Sequence, residues 1–306
     1  MPRPLIIFKS GSINSDWLLP RLEEYFEIKP WQHDKKYTDQ HLLWHCCEQD
    51  AVGWPGPCIF EKFWDQYVDQ TSLLVDNQLH LRLKSWVRFN ESIWWQHLGY
   101  HQLIAQPGGD KFFLMLMNLI KKHRDALFEH VTPWLDDSWY SYYEKGHQIH
   151  SDLDAEPFSH SNWQRHCNIE WYNRTQFSLV AESQVSTRVW ISEKTYKPMA
   201  FGHAFLIWGS PGTLQFIHKQ GFQTFDHAID ESYDTIIPQQ QRLAAIIKQI
   251  EFLHEEFKNT NRLFQDSESL KRIQHNYDLF YDPAICEKLF LEELVEPIKK
   301  FIDEQI

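Results

Sequence analysis

Residues 177–225 have the sequence FSLVAESQVSTRVWISEKTYKPMAFGHAFLIWGSPGTLQFIHKQGFQTF, and this stretch decides the predicted fold. Residues 177–181 are an apolar run that has the length of a buried strand. Ser192 can cap a helix that ends before Gly202, because a serine hydroxyl accepts hydrogen bonds from the free N–H groups of a first helical turn. The elements predicted after this helix are a strand at 204–208, a helix at 213–219 and a strand at 222–225. Such an alternation forms half of a doubly wound parallel sheet, so the sequence predicts the α/β class.

Charged and polar residues follow the first strand and open the first helix of this stretch. Glu182 and Ser183 come directly after the strand, and Glu193 and Lys194 begin the helix. Ligands of open α/β sheets bind beyond the carboxyl ends of the strands, and helix N-termini favour phosphate. Glu193 could accept hydrogen bonds from a ribose diol, and Lys194 could neutralise a diphosphate beside it. A capped surface helix with an acidic first turn explains the same residues without a ligand.

These motifs resemble the donor-binding segment of the α1,3-fucosyltransferase family. In that family a strand ends in Glu-Asn-Ser, a Thr-Glu-Lys motif opens the following helix, and the next strand ends in Gly-Ser-Pro. The corresponding residues here are Glu182-Ser183, which lack the Asn, then Ser192-Glu193-Lys194 and Gly209-Ser210-Pro211. A predicted strand at 111–118, followed by Lys122-His123-Arg124, matches a second patch of the family. Bacterial and phage sugar transferases of unassigned donor share these motifs.

The resemblance implies an activity and a role for each matched residue. It implies two Rossmann-like α/β domains that face a cleft, which is the GT-B architecture. It also implies inverting transfer of a sugar, fucose from GDP-fucose by family default, from a nucleotide-diphosphate sugar to a glycan or lipid-linked glycan. Glu193 would then hold the ribose, and Arg124 and Lys194 the diphosphate. Glu182 and Ser183 would line the sugar end of the donor site.

The rest of the chain predicts one α/β domain before this segment and a helix after it. We expect an N-terminal acceptor-side domain at 1–108, a nucleotide-sugar-binding domain at 110–285 and a C-terminal helix at 286–306. Glycine and proline at 106–110 are typical of a linker. The C-terminal helix is a candidate to return to the first domain, as is common in GT-B enzymes. Further expected elements are strands at 4–9, 71–75 and 79–87 and helices at 15–26, 94–103, 238–259 and 286–302, the last kinked at Pro297.

Composition limits the classes of partner. The 306 residues carry a net charge of −12, which argues against nucleic-acid binding, since phosphate backbones require a cationic surface. The five cysteines form no C-x-x-C pair, and their odd number indicates reduced thiols. No apolar run reaches the length of a membrane span, so we expect no integral membrane segment. We therefore predict a cytoplasmic protein of bacterial or viral origin, with peripheral membrane attachment left open.

Two sequence patterns invite a metal hypothesis, and we favour neither. Asp152-Leu153-Asp154 is a D-x-D triplet of the kind that other sugar transferases use to bind a cation, but no predicted strand leads into it. The spacing of His33, His41, His45 and Cys46 fits no zinc finger. Arg124 and Lys194 could neutralise the leaving diphosphate without a metal ion. The expectation is an enzyme that needs no metal and no cofactor besides its nucleotide-sugar substrate.

The general base of the proposed transfer has no matched motif in residues 1–108. The family uses a carboxylate of the first domain, because a carboxylate can accept the proton of the acceptor hydroxyl near neutral pH. Glu48 ranks first and Asp50 second, since both lie in a segment rich in glycine and proline turns. Asp16 ranks third, because its position also suits the first turn of a helix.

Two other classes of protein compete with the enzyme hypothesis. A non-catalytic carbohydrate- or nucleotide-binding module would use the same residues and would differ only in lacking turnover. A Rossmann-type epimerase or dehydrogenase is disfavoured, because no G-x-G-x-x-G motif follows any predicted strand.

Overall fold

The computed structural model describes residues 5–8, 15–30, 42–45, 58–60, 66–67, 80–82, 86–106, 108–147, 168–187 and 189–305. The chain divides into two compact units. Unit 1 joins Met1–Leu98 with Pro283–Ile306, and unit 2 is the continuous stretch Gly99–Asp282. The acceptor-side and donor-side roles expected of the two domains stay predictions.

Strands and short helices alternate along most of the described chain. The strands are β1 (Leu5–Phe8), β2 (Glu27–Pro30), β3 (Leu42–His45), β4 (Cys58–Phe60), β5 (Gln66–Tyr67), β6 (His80–Arg82), β7 (Lys111–Met117), β8 (Trp139–Tyr142), β9 (Thr175–Ala181), β10 (Trp190–Ile191) and β11 (Phe205–Trp208). The α-helices are α1 (Ser15–Leu22), α2 (Trp86–His97), α3 (Lys122–Val131), α4 (Ile169–Asn173), α5 (Glu193–Ala200), α6 (Thr213–Lys219), α7 (Gln239–Thr260), α8 (Ser267–Tyr281), α9 (Pro283–Phe290) and α10 (Glu296–Gln305).

Unit 1 contains a parallel sheet with the strand order β2-β1-β3-β4-β6. Ile6 of β1 lies opposite Ile28 of β2 on one side and Leu42 of β3 on the other. The expected strand at 79–87 is shorter, because α2 begins at Trp86. The expected helix at 94–103 accordingly begins and ends earlier, and Ser92 and Trp95 lie buried on one face of it.

The C-terminal residues of unit 1 form two helices joined by a π-helical turn at Leu291–Val295. Pro297 is the second residue of α10, which begins where this turn ends. Its ring cannot follow a regular helical turn without a clash, and it has no N–H to donate. Phe290 packs against Tyr25 at a ring-centroid distance of 6.1 Å, and Cys286 Sγ lies 2.9 Å from Ser92 Oγ of α2. The C-terminal helices therefore complete the core of the unit that the first residues begin.

Unit 2 is built on a parallel sheet with the strand order β8-β7-β9-β11. Leu114 of β7 lies opposite Trp139 of β8 and Ser178 of β9. Every residue of β9 is buried, as expected for a central strand of a covered sheet. The chain leaves β7 for β8 on one side and returns to β9 on the other, so the order reverses between β7 and β9. The α/β class is confirmed, while two domains facing a cleft stay a prediction.

The third strand expected at 222–225 is absent, and a loop takes its place. Its backbone is bound by side chains instead of a neighbouring strand. Asn276 of α8 accepts from the N–H of Gln223 at 2.7 Å and donates to its carbonyl at 2.7 Å. Glu231 accepts from the N–H of Phe225 at 2.9 Å. Because these groups are already paired, the segment has no need of a strand partner.

Gln106 and Gly109, from the segment expected to be a linker at 106–110, are bound to other residues of unit 2. A Cβ on Gly109 would lie 2.0 Å from the carbonyl carbon of Arg174, so only glycine allows this approach. The N–H of Gln106 donates to Asn173 at 2.9 Å, and the carbonyl of Gly109 accepts from Gln176. The long helix predicted at 238–259 is confirmed as α7.

Candidate functional site

The candidate site lies at the carboxyl ends of β7 and β9, where the strand order of unit 2 reverses. Open α/β sheets bind ligands at such a reversal, because the two loops that leave the sheet there diverge and open a crevice. The loop after β7 leads into α3, and the loop after β9 leads towards α5. The side chains that follow come from these two loops and from the first turns of the two helices.

Three basic side chains at the start of α3 donate to three successive carbonyls at the end of β9. Arg124 Nη2 lies 3.4 Å from the carbonyl of Ala181 and Lys121 Nζ 2.7 Å from that of Ser183. His123 Nε2 lies 3.0 Å from the carbonyl of Glu182, and since a carbonyl can only accept, this nitrogen carries the proton. Arg124 is only 1% exposed, so its charge is fixed below the surface.

His123 is neutral at pH 7. Burial is the largest cause that lowers the pKa of its imidazole, and the positive charges of Arg124 and Lys121 lower it further. Its carbonyl accepts from the indole N–H of Trp208 at 3.0 Å, which ties α3 to the end of β11. His123 therefore acts here as a fixed neutral donor, and the cations of this corner are the lysine and arginine side chains.

Glu182 is fully buried and accepts hydrogen bonds from four groups. The N–H of Ser183 donates to Oε2 at 2.8 Å, and the hydroxyl of Ser192 donates to the same oxygen at 2.6 Å. The N–H of Ser192 donates to Oε1 at 3.1 Å, and the hydroxyl of Thr195 donates to that oxygen too. The carboxylate therefore joins the end of β9 to the beginning of α5.

The first turn of α5 carries the acid–base pair that the sequence singled out. Ser192 is confirmed as the N-cap, and its hydroxyl accepts from the N–H of Lys194. Lys194 Nζ contacts the carboxylate of Glu193 and lies 3.4 Å from Ser183 Oγ. Burial pushes the pKa of Glu193 upwards, but the charge and hydrogen bond of Lys194, with the charge of Lys197, outweigh it, and the pKa is lowered. Glu193 is therefore a carboxylate at neutral pH.

These residues form a group that we call the switch-point cluster: Lys121, Arg124, Glu182, Glu193, Lys194 and Lys197. Its formal charge is positive by two, since four cations stand against two carboxylates. The whole chain has a net charge of −12, so the switch-point cluster is a local group of positive charge on an acidic protein. Cations beside helix N-termini at a sheet reversal are suited to binding a small polyanion.

The structure brings together all five residues expected at the donor site, namely Arg124, Glu182, Ser183, Glu193 and Lys194. Whether they bind a donor stays a prediction. Sequence reasoning missed Lys121 and the roles of His123 and Thr195. The signal for the first two was the basic run at 121–124, which begins four residues after the end of β7, whereas nothing local marked Thr195 as a partner of Glu182.

Several other expectations concern residues outside the part of the chain that the structure describes. They are Glu48, Asp50, Asp152, Asp154, His33, His41 and Cys46. Asp16 is the second residue of α1, and His45 ends β3. Among the described residues, no group of three or more His, Cys, Asp or Glu side chains could hold a metal ion.

Within the described ranges, no helix combines the length and the apolar character that crossing a membrane requires.

Comparisons with known proteins find a structural likeness but no sequence match. No family model matches the chain, and no curated protein matches it. The chain is similar to a crystal structure of an alpha1,3-fucosyltransferase, with a TM-score of 0.45 and 12% sequence identity. That alignment covers 92% of this chain and 91% of the other.

Proposed function

We propose that the chain is a glycosyltransferase that binds a nucleotide-diphosphate sugar at the carboxyl ends of β7 and β9. The observation that carries this proposal is the switch-point cluster, whose positive charge lies where open α/β sheets bind their ligands. Cations beside a diphosphate stabilise it as it leaves, because negative charge develops on its oxygen as the glycosidic bond breaks. The residue pattern of the same segment resembles that of α1,3-fucosyltransferases, which supports the sugar-transfer chemistry.

Each residue of the cluster has a distinct proposed role. Lys194 contacts the diphosphate directly, since its ammonium is partly exposed, with 20% of the side chain accessible. Arg124 contributes a positive charge at a fixed, buried position, because its guanidinium donates hydrogen bonds to the carbonyls of Leu119 and Ala181. Glu193 accepts hydrogen bonds from the ribose hydroxyls, and Ser183 lies towards the sugar.

The proposed reaction is a single displacement at the anomeric carbon. The acceptor hydroxyl of a glycan or lipid-linked glycan forms a bond to this carbon while the bond to the diphosphate oxygen breaks. The hydroxyl proton passes to a carboxylate, for which Glu48 is the first candidate and Asp50 the second. The nucleoside diphosphate leaves with its added negative charge next to Lys194 and Arg124. Fucose from GDP-fucose is the donor to test first.

The first test is a thermal-shift screen with GDP, UDP, CDP and their sugar conjugates. A ligand present at about 100 times its dissociation constant stabilises the folded state by about 2.7 kcal/mol, which a melting curve resolves. The best nucleotide sugar is then assayed for hydrolysis and for transfer. Binding without either reaction would identify a nucleotide-binding module, and a screen in which nothing binds would refute the proposal.

Lys194→Ala tests the diphosphate contact. We expect turnover to fall by about 100-fold or more, because the charge that stabilises the leaving group is removed. Lys248→Ala, an exposed position on α7, is the matched control and should leave turnover unchanged. Lys194 is a cleaner choice than Arg124, whose removal would also take away hydrogen bonds at the end of β9. Wild-type turnover in Lys194→Ala would refute the assignment.

Metal dependence provides an independent test. Transfer should persist in EDTA, because Lys194 and Arg124 supply the charge that a cation would otherwise supply. Loss of activity in chelator, with recovery on adding Mn²⁺ or Mg²⁺, would favour the D-x-D triplet at 152–154 as a metal site.

A further inference from the structure

We infer that Glu182 is a positioning residue that holds the start of α5, and with it Glu193 and Lys194, in the geometry that receives the nucleotide. This inference rests on the proposed function, since it assigns a role within the same site. The residue resemblance put Glu182 at the sugar end of the donor. Its hydrogen bonds point to a different role.

The carboxylate has no capacity left for a sugar hydroxyl. Two carboxylate oxygens offer about four lone-pair positions, and each oxygen already accepts two hydrogen bonds. The donors are Ser183 N and Ser192 Oγ at Oε2, and Ser192 N and Thr195 Oγ1 at Oε1. The side chain is also 0% exposed, so a ligand could reach it only by displacing these partners.

The donors lie on both sides of the two residues that are proposed to contact the nucleotide. Ser192 precedes Glu193 and Lys194, and Thr195 follows them. Both flanking residues are fully or almost fully buried, at 2% and 0% exposure. The backbone that carries the ribose and diphosphate ligands is therefore held at each end by one carboxylate, which is itself fixed to the last residues of β9.

A negative charge suits this position for two further reasons. It lies at the N-terminal end of α5, where the helix dipole favours an anion. All four of its hydrogen-bond donors are N–H or O–H groups of the protein itself, so these bonds need not change when a ligand binds. Fixed partners of this kind lower the cost of binding, because the ligand-contacting residues are ordered beforehand.

Thr195→Val tests the inference, because it removes one donor to Glu182 at nearly constant side-chain volume. Two readouts apply: amide hydrogen exchange at residues 192–197 without ligand, and the dissociation constant of the tightest of GDP, UDP and CDP. We expect faster exchange and a nucleotide affinity that is weaker by about 3- to 10-fold. Thr195→Ser keeps the hydroxyl and should restore both values.

Thr224→Val is the matched control. Thr224 is also fully buried, and its hydroxyl also donates to a carboxylate, that of Glu231 at 2.7 Å. Its loss should lower the melting temperature without changing either readout. If Thr195→Val does not fold, Glu182→Gln removes part of the same set of bonds and is measured in the same way.

The outcomes separate the inference from the function. Unchanged exchange at 192–197 in Thr195→Val would overturn the inference, and so would faster exchange with wild-type nucleotide affinity. If the wild-type protein binds none of the three nucleotides, the proposed function fails, and the exchange measurement still decides whether Glu182 holds α5.

Discussion

A histidine of unit 2 is held neutral deep in the fold. His203 is 4% exposed, and its Nε2 donates to the carbonyl of Thr175 at 3.0 Å. Its Nδ1 therefore accepts from the hydroxyl of Ser178 at 2.9 Å. Burial lowers the pKa of this imidazole from 6.5 to about 4. Ser178 and His203 are only 5% and 4% exposed, so we assign the pair to packing and not to nucleophilic chemistry.

The pKa of His203 predicts how stability changes with pH. The unfolded chain binds a proton at this ring below pH 6.5, whereas the folded chain resists it down to about 4. The contribution to stability is therefore complete above pH 6.5 and is lost as the pH falls towards 4, by about 2 kcal/mol at pH 5. We expect His203→Gln to lack this part of the pH dependence in denaturant unfolding.

The control for this prediction is His130→Gln, which changes an exposed ring on α3 in the same unit. The prediction concerns the difference in pH dependence between each variant and the wild type, so a constant loss of stability in either variant does not affect it. Equal pH profiles for the wild type and His203→Gln would contradict it.

At the scale of elements, Asn276 is one of the side chains that hold the backbone of the loop at 222–225. Asn276 is 1% exposed and bonds both the N–H and the carbonyl of Gln223. Asn276→Ala would remove both bonds to the partly buried backbone of Gln223, so we expect a loss of about 1 to 3 kcal/mol in unfolding free energy. Gln274→Ala, on the exposed face of the same helix, should cost less than about 0.5 kcal/mol. Similar losses in both variants would be inconsistent with this role.

The elements that the sequence predicted well are those with local signals. Ser192 and Gly202 bound α5, and Gly212 precedes α6, so caps and turns place both helices. The strand predicted at 222–225 was wrong. Phe222 and Phe225 are apolar and buried as strand residues would be, but the backbone partner Asn276 lies 53 residues further along the chain. No local pattern contains that information.

The same distinction applies to the candidate site. Glu193 and Lys194 are neighbours in sequence, and the motif that places them together was visible from the start. The partners of Glu182 at the start of α5, Ser192 and Thr195, lie 10 and 13 residues away, beyond a loop and a short strand. Only the structure shows that the Glu182 side chain points towards α5. The residue type alone does not distinguish a residue that binds the ligand from one that holds its neighbours in place.

At the scale of the whole molecule, unit 2 is continuous in sequence and unit 1 is not. We expect a fragment of residues 99–282 to unfold cooperatively and to bind the nucleotide of the full chain, since its sheet, its core and the switch-point cluster are all its own. Calorimetry and a nucleotide titration of the fragment test this. A fragment without a cooperative transition would show that unit 2 depends on the rest of the chain.

Removal of residues 283–306 is the complementary experiment. It takes from unit 1 the buried side chains of Phe290, Leu294, Ile298 and Phe301. We expect the truncated chain to keep the transition of unit 2 and to lose that of unit 1.

Unit 1 joins the first and the last residues of the chain, so its two parts are synthesised at different times. Its first strands leave the ribosome long before Pro283–Ile306 is made, because all of Gly99–Asp282 is translated in between. At about 5–20 residues per second, the nascent N-terminal sheet waits roughly 10 to 40 s for the helices that bury its core. Unit 2 can fold during that interval. The side chains of the N-terminal segment that α9 and α10 later cover are therefore the surfaces that a chaperone would protect.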